Sequence, residues 1–243
     1  MSISAAPQLG MTWIFWSKMK SNILSWLVAI LVPLALIGLG MRALLTPAFL
    51  KIEYNMPYFP PDEYGFSTED RLRWAPYALE YLVNNADISY LGDLVFDDGS
   101  PLYNERELSH MEDVKVVTLS ALNIWYISLA LITMLGIWSW RGGWTQAYRQ
   151  GLRRGGWLMV GVAGVIGLIV VIGISINPNV FWNFFVGFHG LFFEGDTWLF
   201  LYSDTLIRLF PLRFWQDAFL FAAIIALGGG VGLGLGLRSQ GET

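Results

Sequence analysis

Cysteine is missing from all 243 residues. Its absence removes disulfides, thiolate nucleophiles, iron–sulfur clusters and Cys-ligated zinc. Charge is scarce too. Asp, Glu, Lys and Arg make up 14% of the chain, against roughly 25% in ordinary globular proteins. No basic surface suited to nucleic acid is present, no internal repeat is visible, and no G-x-S-x-G nucleophile elbow occurs. Histidine occurs only twice, at His110 and His189. What the chain has in abundance is apolar surface, 55% of its residues. A soluble fold cannot hide that fraction, whereas lipid can.

Crossing a ~30 Å hydrocarbon core takes about 20 apolar residues of helix. Four segments qualify: 23–41, 114–140 (uncharged from Val116 to Trp140), 155–176 and 218–237. The expected fold class is therefore an all-α membrane protein with four transmembrane helices. Basic residues near span ends remain cytoplasmic. Lys18, Lys20, Arg141, Arg149, Arg153, Arg154 and Arg238 all fall on one side of a four-span chain. That places 1–22, 141–154 and 238–243 in the cytoplasm, with both termini there. The small cap 42–113 and the segment 177–217 then face outward. The cap holds fourteen Asp or Glu against five Lys or Arg. The first apolar run exceeds the usual 7–15 residues of a cleaved signal and no convincing small-x-small site follows it, so it reads as a retained span.

Within the cap, YNMPYFPPDEYGF is turn-rich. Ser67 opens an S-x-x-D cap ahead of a helix whose apolar surface comes from Leu72, Tyr77, Leu79, Tyr81 and Leu82. The stretch around Leu94 to Phe96 reads as a short strand or hairpin. Asn104 with Glu107 forms a second cap, opening a helix that runs through His110 into the second span. The outer segment 177–217 starts a helix at Asn177-Pro178, continues as VFWNFFVGFHGLFF and breaks at GDTW. It resumes as TLIRLF behind Ser203-Asp204, and Pro211 restarts a helix into the last span. So many rings fit an aromatic segment at the membrane–water boundary. GGGVGLGLG in the fourth span reads as a packing seam.

Helical spacing surrounds His189 with Trp182, Phe185, Phe192 and Phe193, and His110 with Arg106, Glu107, Asp113 and Val114. One imidazole is framed by rings and the other by charge, and both are expected at the same outer boundary. Histidine's unperturbed pKa of about 6.5 suits proton transfer near neutrality. A polar group at membrane depth is a functional candidate; the plainer alternative is an ordinary interfacial residue.

RELSHMEDV (106–114), FHGLFFEGDTWLF (188–200) and DTLIRLFP (204–211), set in a four-span chain with one outer insertion, resemble the lipoprotein intramolecular transacylase (Lit) family of bacterial membrane proteins. The resemblance implies four transmembrane helices in the cytoplasmic membrane under an extracytoplasmic cap, with two catalytic histidines at the cap–membrane interface. It implies transfer of the sn-2 acyl chain of a lipoprotein's diacylglyceryl group to the amine of the same N-terminal cysteine. By motif match the histidines are His110 and His189. Pro211-Leu-Arg departs from the proline-then-acid expected of the family.

The chemistry suits the composition. An α-amine with pKa near 8 needs a base, and an ester carbonyl gathering charge needs a hydrogen-bond donor. Donor and acceptor share one molecule, so no enzyme nucleophile is required. His189 is expected as principal base with His110 as partner, the roles being exchangeable. Asp113 or Glu107 would orient an imidazole and Arg106 would assist with charge. Trp182, Phe185, Phe192 and Trp198 would line the pocket or anchor at the boundary. The expected partners are membrane lipids and a diacylated lipoprotein, with no cofactor. Two other readings compete. A metal site drawn from His110, Asp113, His189 and Glu194 matches no strong spacing. The twelve tryptophans also fit a non-catalytic subunit of a membrane complex binding haem or chlorophyll, although neither histidine lies mid-span.

Overall fold

The computed structural model describes residues 7–177, 179–193 and 195–237. Among them the chain is helical, with no strand: α1 (Pro7–Leu44), α2 (Pro47–Tyr54), α3 (Thr68–Val83), α4 (Ser89–Gly92), α5 (Glu105–Arg141), α6 (Thr145–Ile176), α7 (Val180–Phe192), α8 (Thr205–Leu209) and α9 (Leu212–Gly236). Four helices are long and apolar enough to cross a bilayer: Met19–Leu44 within α1, all of α5, Thr145–Gly173 within α6, and α9. At about 1.5 Å per residue even the shortest exceeds a ~30 Å core. The protein is an all-α membrane protein with four spans. α1 continues through Pro33. α5 begins well before its uncharged run, so its charged first turns, Glu105 to Lys115, precede the stretch expected to cross.

The chain divides into two compact units. One comprises the chain up to Ile37, Trp125–Gly164 and the chain from Ile225; the other comprises Gly38–Ile124 and Val165–Ile224. The first is a helical bundle packed on Val28, Val32, Leu36, Leu135, Met159 and Ala226. Glycine lets its backbones touch. A Cβ at Gly156 would stand 2.5 Å from the Gly230 carbonyl oxygen, and one at Gly155 2.5 Å from Val32 Cβ. The expected seam in α9 is thus used at Gly229, Gly230 and Gly234, while Gly228, Gly232 and Gly236 face open space. The indole of Trp125 donates to the Ala35 carbonyl at 3.0 Å.

The second unit carries both histidines. Its core gathers Phe49 and Leu50 from α2, Trp74, Ala78 and Tyr81 from α3, Leu102, and Leu206 and Leu209 from α8. Ser67 and Asp70 form a reciprocal capping box at the start of α3. Trp74, Ala75 and Ala78 carry more of the buried face of α3 than Tyr77, which is exposed. α2 lies in a stretch that sequence reading leaves without a helix. Thr46 accepts the Phe49 N–H and Pro47 sits at the first helical position, a local start signal overshadowed by the turn-rich residues that follow. Around Leu94 to Phe96 the pairing stops at one bridge, Val95 to Pro101, because Gly99 at φ 84° closes the chain at once. α7 starts at Val180 behind Asn179, later than the Asn177-Pro178 start expected; Pro178 lies outside the described residues.

Polar bonds fasten the segment around α8 to the rest of this unit. Tyr54 donates to the Leu209 carbonyl at 2.9 Å. Arg71 donates to the carbonyls of Arg208 and Pro60, and Thr205 donates to the Leu102 carbonyl. Arg208 pairs with Asp62 at 2.9 Å, side chains 13% and 5% exposed, while its guanidinium lies 3.5 Å from the Phe66 ring centre.

Candidate active site

His110 sits in the second turn of α5, and two neighbours fix that turn. Asn104 accepts the Glu107 N–H at 3.0 Å and Glu107 accepts the Asn104 N–H at 2.9 Å. This reciprocal cap sets where α5 begins. The second carboxylate oxygen of Glu107 accepts the Leu206 N–H at 2.6 Å, which ties the start of α8 to the start of α5. Glu107 is 1% exposed. Burial pushes its carboxyl up to about 7, against the backbone hydrogen bonds that favour the ionised form. Its oxygens are therefore committed to backbone donors rather than to an imidazole.

His189 occupies the last turn of α7. Its Nδ1 lies 2.8 Å from the Phe185 carbonyl oxygen one turn back. A carbonyl oxygen only accepts, so Nδ1 carries the hydrogen and the neutral ring presents Nε2 as its basic atom. The two imidazoles meet. Their ring centres are 6.2 Å apart and the rings are within 22° of parallel. His110 is 8% and His189 9% exposed.

The walls are aromatic. Phe185 lies 4.1 Å, Trp198 4.6 Å and Phe193 5.6 Å from the His189 ring centre. Phe193 at 4.9 Å and Phe200 at 5.3 Å meet His110 edge-on. Such contacts contribute about 0.5–1.5 kcal/mol each beyond the area they bury. They also strip water from both imidazoles. Burial and then the neighbouring His189 pull His110 down to about 4. Burial lowers His189 as well, partly offset by its bond to Phe185. Both rings are thus neutral at neutral pH.

Two polar atoms in this cluster have no hydrogen-bond partner although buried: His110 Nδ1 and Trp198 Nε1. An unmet buried group costs about 1–3 kcal/mol. Beside the cluster opens a groove of about 400 Å³ lined by Asn104, Arg106, Asp196, Leu199 and Phe200. Phe200 thus belongs both to the groove and to the wall of His110.

The remaining expected residues fall around this centre. Asp113 is exposed, and no hydrogen bond or ion pair joins it to either imidazole among the described residues. Arg106 donates to the Asp196 carbonyl and lies 3.6 Å from its carboxylate, at the groove. Trp182 stacks on Phe185 at 6.1 Å and Phe192 packs on Phe188 at 5.0 Å; both are nearly half exposed. Glu194 lies outside the described residues, which contain no cluster of three metal-ligating side chains. Phe200 is a wall residue that sequence reading missed. It follows the turn at Gly195, φ 63°, where helical periodicity no longer predicts which residues meet.

Three comparisons bear on this arrangement. A family model described as lipoprotein intramolecular transacylase Lit matches residues 25–215. An uncharacterized protein of Aquifex aeolicus is 28% identical over 214 residues, covering 84% of this chain and 88% of that relative. The solved structure of the membrane integral lipoprotein intramolecular transacylase Lit from Bacillus cereus superposes with a TM-score of 0.70 at 20% identity, covering 89% of this chain and 93% of that one. A variant of the same protein with one histidine replaced by alanine gives 0.67 at 18% identity, covering 93% and 95%. The structural likeness is one of fold.

Proposed function

Because the chain belongs to the lipoprotein intramolecular transacylase family, whose members are membrane enzymes, we propose that it moves the sn-2 acyl chain of a diacylglyceryl lipoprotein to the amine of the same N-terminal cysteine. The observation that carries this reading is the pair of buried imidazoles, ring centres 6.2 Å apart, within walls of aromatic rings. The amine enters uncharged and attacks the ester carbonyl. His189 Nε2 takes the proton released from nitrogen as the N–C bond forms. The C–O bond to the glyceryl group then breaks and its oxygen receives the proton that His189 took, with His110 as the second proton carrier, so both imidazoles end neutral. The products are an amide and a free hydroxyl, so atoms and charge balance. Both reacting groups lie on one substrate, and the enzyme's main contribution is to hold them close in a dry site.

The rings suit acyl chains, and the groove at Arg106 and Asp196 suits the polar glyceryl and polypeptide parts. The proposed orientation puts 42–113 and 177–217 on the extracytoplasmic side and both termini in the cytoplasm, following the basic residues at 141–154. The test is co-expression with a model lipoprotein, with the position of the acyl chain read by mass spectrometry. Loss of a general base lowers rate by about 10²–10⁴-fold, and His189→Ala and His110→Ala are each expected to do so. Parental rates in both variants would reject the reading.

A further inference from the structure

The transfer proposed above needs a hydrogen-bond donor at the ester carbonyl, where negative charge collects. Few groups around His189 can donate. Phe185, Phe188 and Phe193, all in ring contact with it, have none. His189 has spent its own N–H on the Phe185 carbonyl, so while acting as a base through Nε2 it cannot also donate. Trp198 differs. Its ring centre is 4.6 Å from that of His189, the residue is 8% exposed, and its indole N–H is buried without a partner.

Indole N–H is a donor and never an acceptor, and buried tryptophans ordinarily find something to receive it. Even half-buried ones in this chain do: Trp125 donates to the Ala35 carbonyl and Trp215 to the Phe210 carbonyl. Packing alone could be met by apolar rings with no unmet polar atom, as at the neighbouring phenylalanines. The unpaired donor beside the basic imidazole therefore has a use that packing does not supply.

On the strength of the proposed function, we infer that the Trp198 N–H receives the carbonyl oxygen of the substrate's carboxylic ester and holds its negative charge during transfer. The amine nitrogen bonds to the carbonyl carbon and the C=O π pair moves to oxygen, where Trp198 donates to it. His189 Nε2 takes the proton from nitrogen. The pair then returns, the C–O bond to the glyceryl oxygen breaks, and that oxygen takes the proton that His189 had accepted, leaving the imidazole neutral again. Trp198 gains and loses no proton.

The test removes the donor in two ways: Trp198→Phe, which also trims the ring, and, with the shape kept, site-specific incorporation at 198 of the benzothiophene analogue of tryptophan, in which sulfur stands for N–H. Loss of one such donor is expected to lower kcat by about 10²–10³-fold with KM little changed. Parental kcat in the sulfur variant, or a change confined to KM, would overturn the inference. A second measurement needs no turnover and uses the parental enzyme. Its Trp198 indole ¹H–¹⁵N signal, assigned by its loss in Trp198→Phe, is followed as a diacylglyceryl lipopeptide with an acetylated amine is added. A downfield proton shift supports the contact; an unmoved signal at saturation overturns it. If the parental enzyme moves no acyl chain, the proposed function fails, and the indole signal still reports on the ester contact separately.

Discussion

The two histidines reach one site from segments held in opposite ways. His110 stands on a scaffold of directional polar bonds: the Asn104–Glu107 cap, the Glu107 clamp on Leu206, and the buried Asp62–Arg208 pair behind it. His189 stands on α7, which is joined to its surroundings mainly by rings, Phe181, Phe184 and Phe188 all packing on Phe219. Hydrogen bonds fix a geometry, because their energy falls steeply once distance or angle is lost. Ring contacts tolerate sliding. The proposed proton carrier on α5 is thus held in register, while the proposed base on α7 sits on a surface that ring sliding allows to shift. Breaking the scaffold should unfold the unit, whereas trimming the rings should leave it folded.

The largest effect is expected from Asp62→Ala. Burial alone would raise this carboxyl, but the Phe66 N–H and Arg208 hold it below the usual range. Removing it strands a guanidinium that is 13% exposed. Breaking a buried pair in this way costs about 3 kcal/mol or more. The measurement is thermal unfolding in detergent by tryptophan fluorescence, since a chain without cysteine offers no thiol for a reactive dye.

The next contrast is one of pH. Glu53 on α2 is fully buried and both its oxygens lack a donor. Burial first and Asp217 second raise it to about 7, against Arg213, which lowers it. Its folded pKa exceeds the unfolded one, so its contribution to stability is complete at pH below about 4.5 and is lost as pH rises through 7. Glu107 acts in the same direction. The imidazoles act oppositely: burial lowers both, so the fold loses stability as pH falls below 6.5, down to about 4 in the case of His110. Stability is therefore expected to peak between these limits and to decline on both sides. Glu53→Gln, which mimics the protonated acid, should flatten the alkaline limb, and an unchanged limb would show that Glu53 does not titrate there.

Phe200→Leu probes the ring side. Phe200 is only partly buried, so the small loss of volume should cost far less than the roughly 3–5 kcal/mol of deleting a core aromatic, and the fold should persist. Acyl transfer should still fall, because the ring meets His110 edge-on at 5.3 Å and also faces the groove. Equal losses of stability in Phe200→Leu and Asp62→Ala would erase the contrast between rings and polar bonds.

Much of this was legible in the chain, for identifiable reasons. Long uncharged runs announce spans because nothing else accommodates them. The caps at Ser67 and Asn104 were readable because a capping box has a fixed spacing of three. Phe185 beside His189 followed from helical period. What stayed hidden depended on chain reversal. Phe200 lies beyond the turn at Gly195, and no periodicity crosses a turn. Glu107 is three residues from His110, as an orienting acid would be, yet its oxygens go to Asn104 and Leu206, one of them 99 residues distant. Spacing identifies neighbours along a helix; it does not say which competitor for a carboxylate wins.

The smallest effect is expected where the polar geometry is good but lies on the surface. Arg73 and Asp97 make two hydrogen bonds, at 3.1 and 2.8 Å, with side chains 50% and 82% exposed. By bond count they rival Asp62 and Arg208. Water competes for both partners, salt screens them, and the folded chain loses little by their absence. Arg73→Ala should leave the unfolding temperature unchanged within measurement error, in low salt and in high. Burial, not the number of bonds, would then account for the strength of the scaffold under His110. A loss comparable to that of Asp62→Ala would mean that polar bonds hold this unit wherever they occur, and the distinction drawn between its two segments would lose its physical basis.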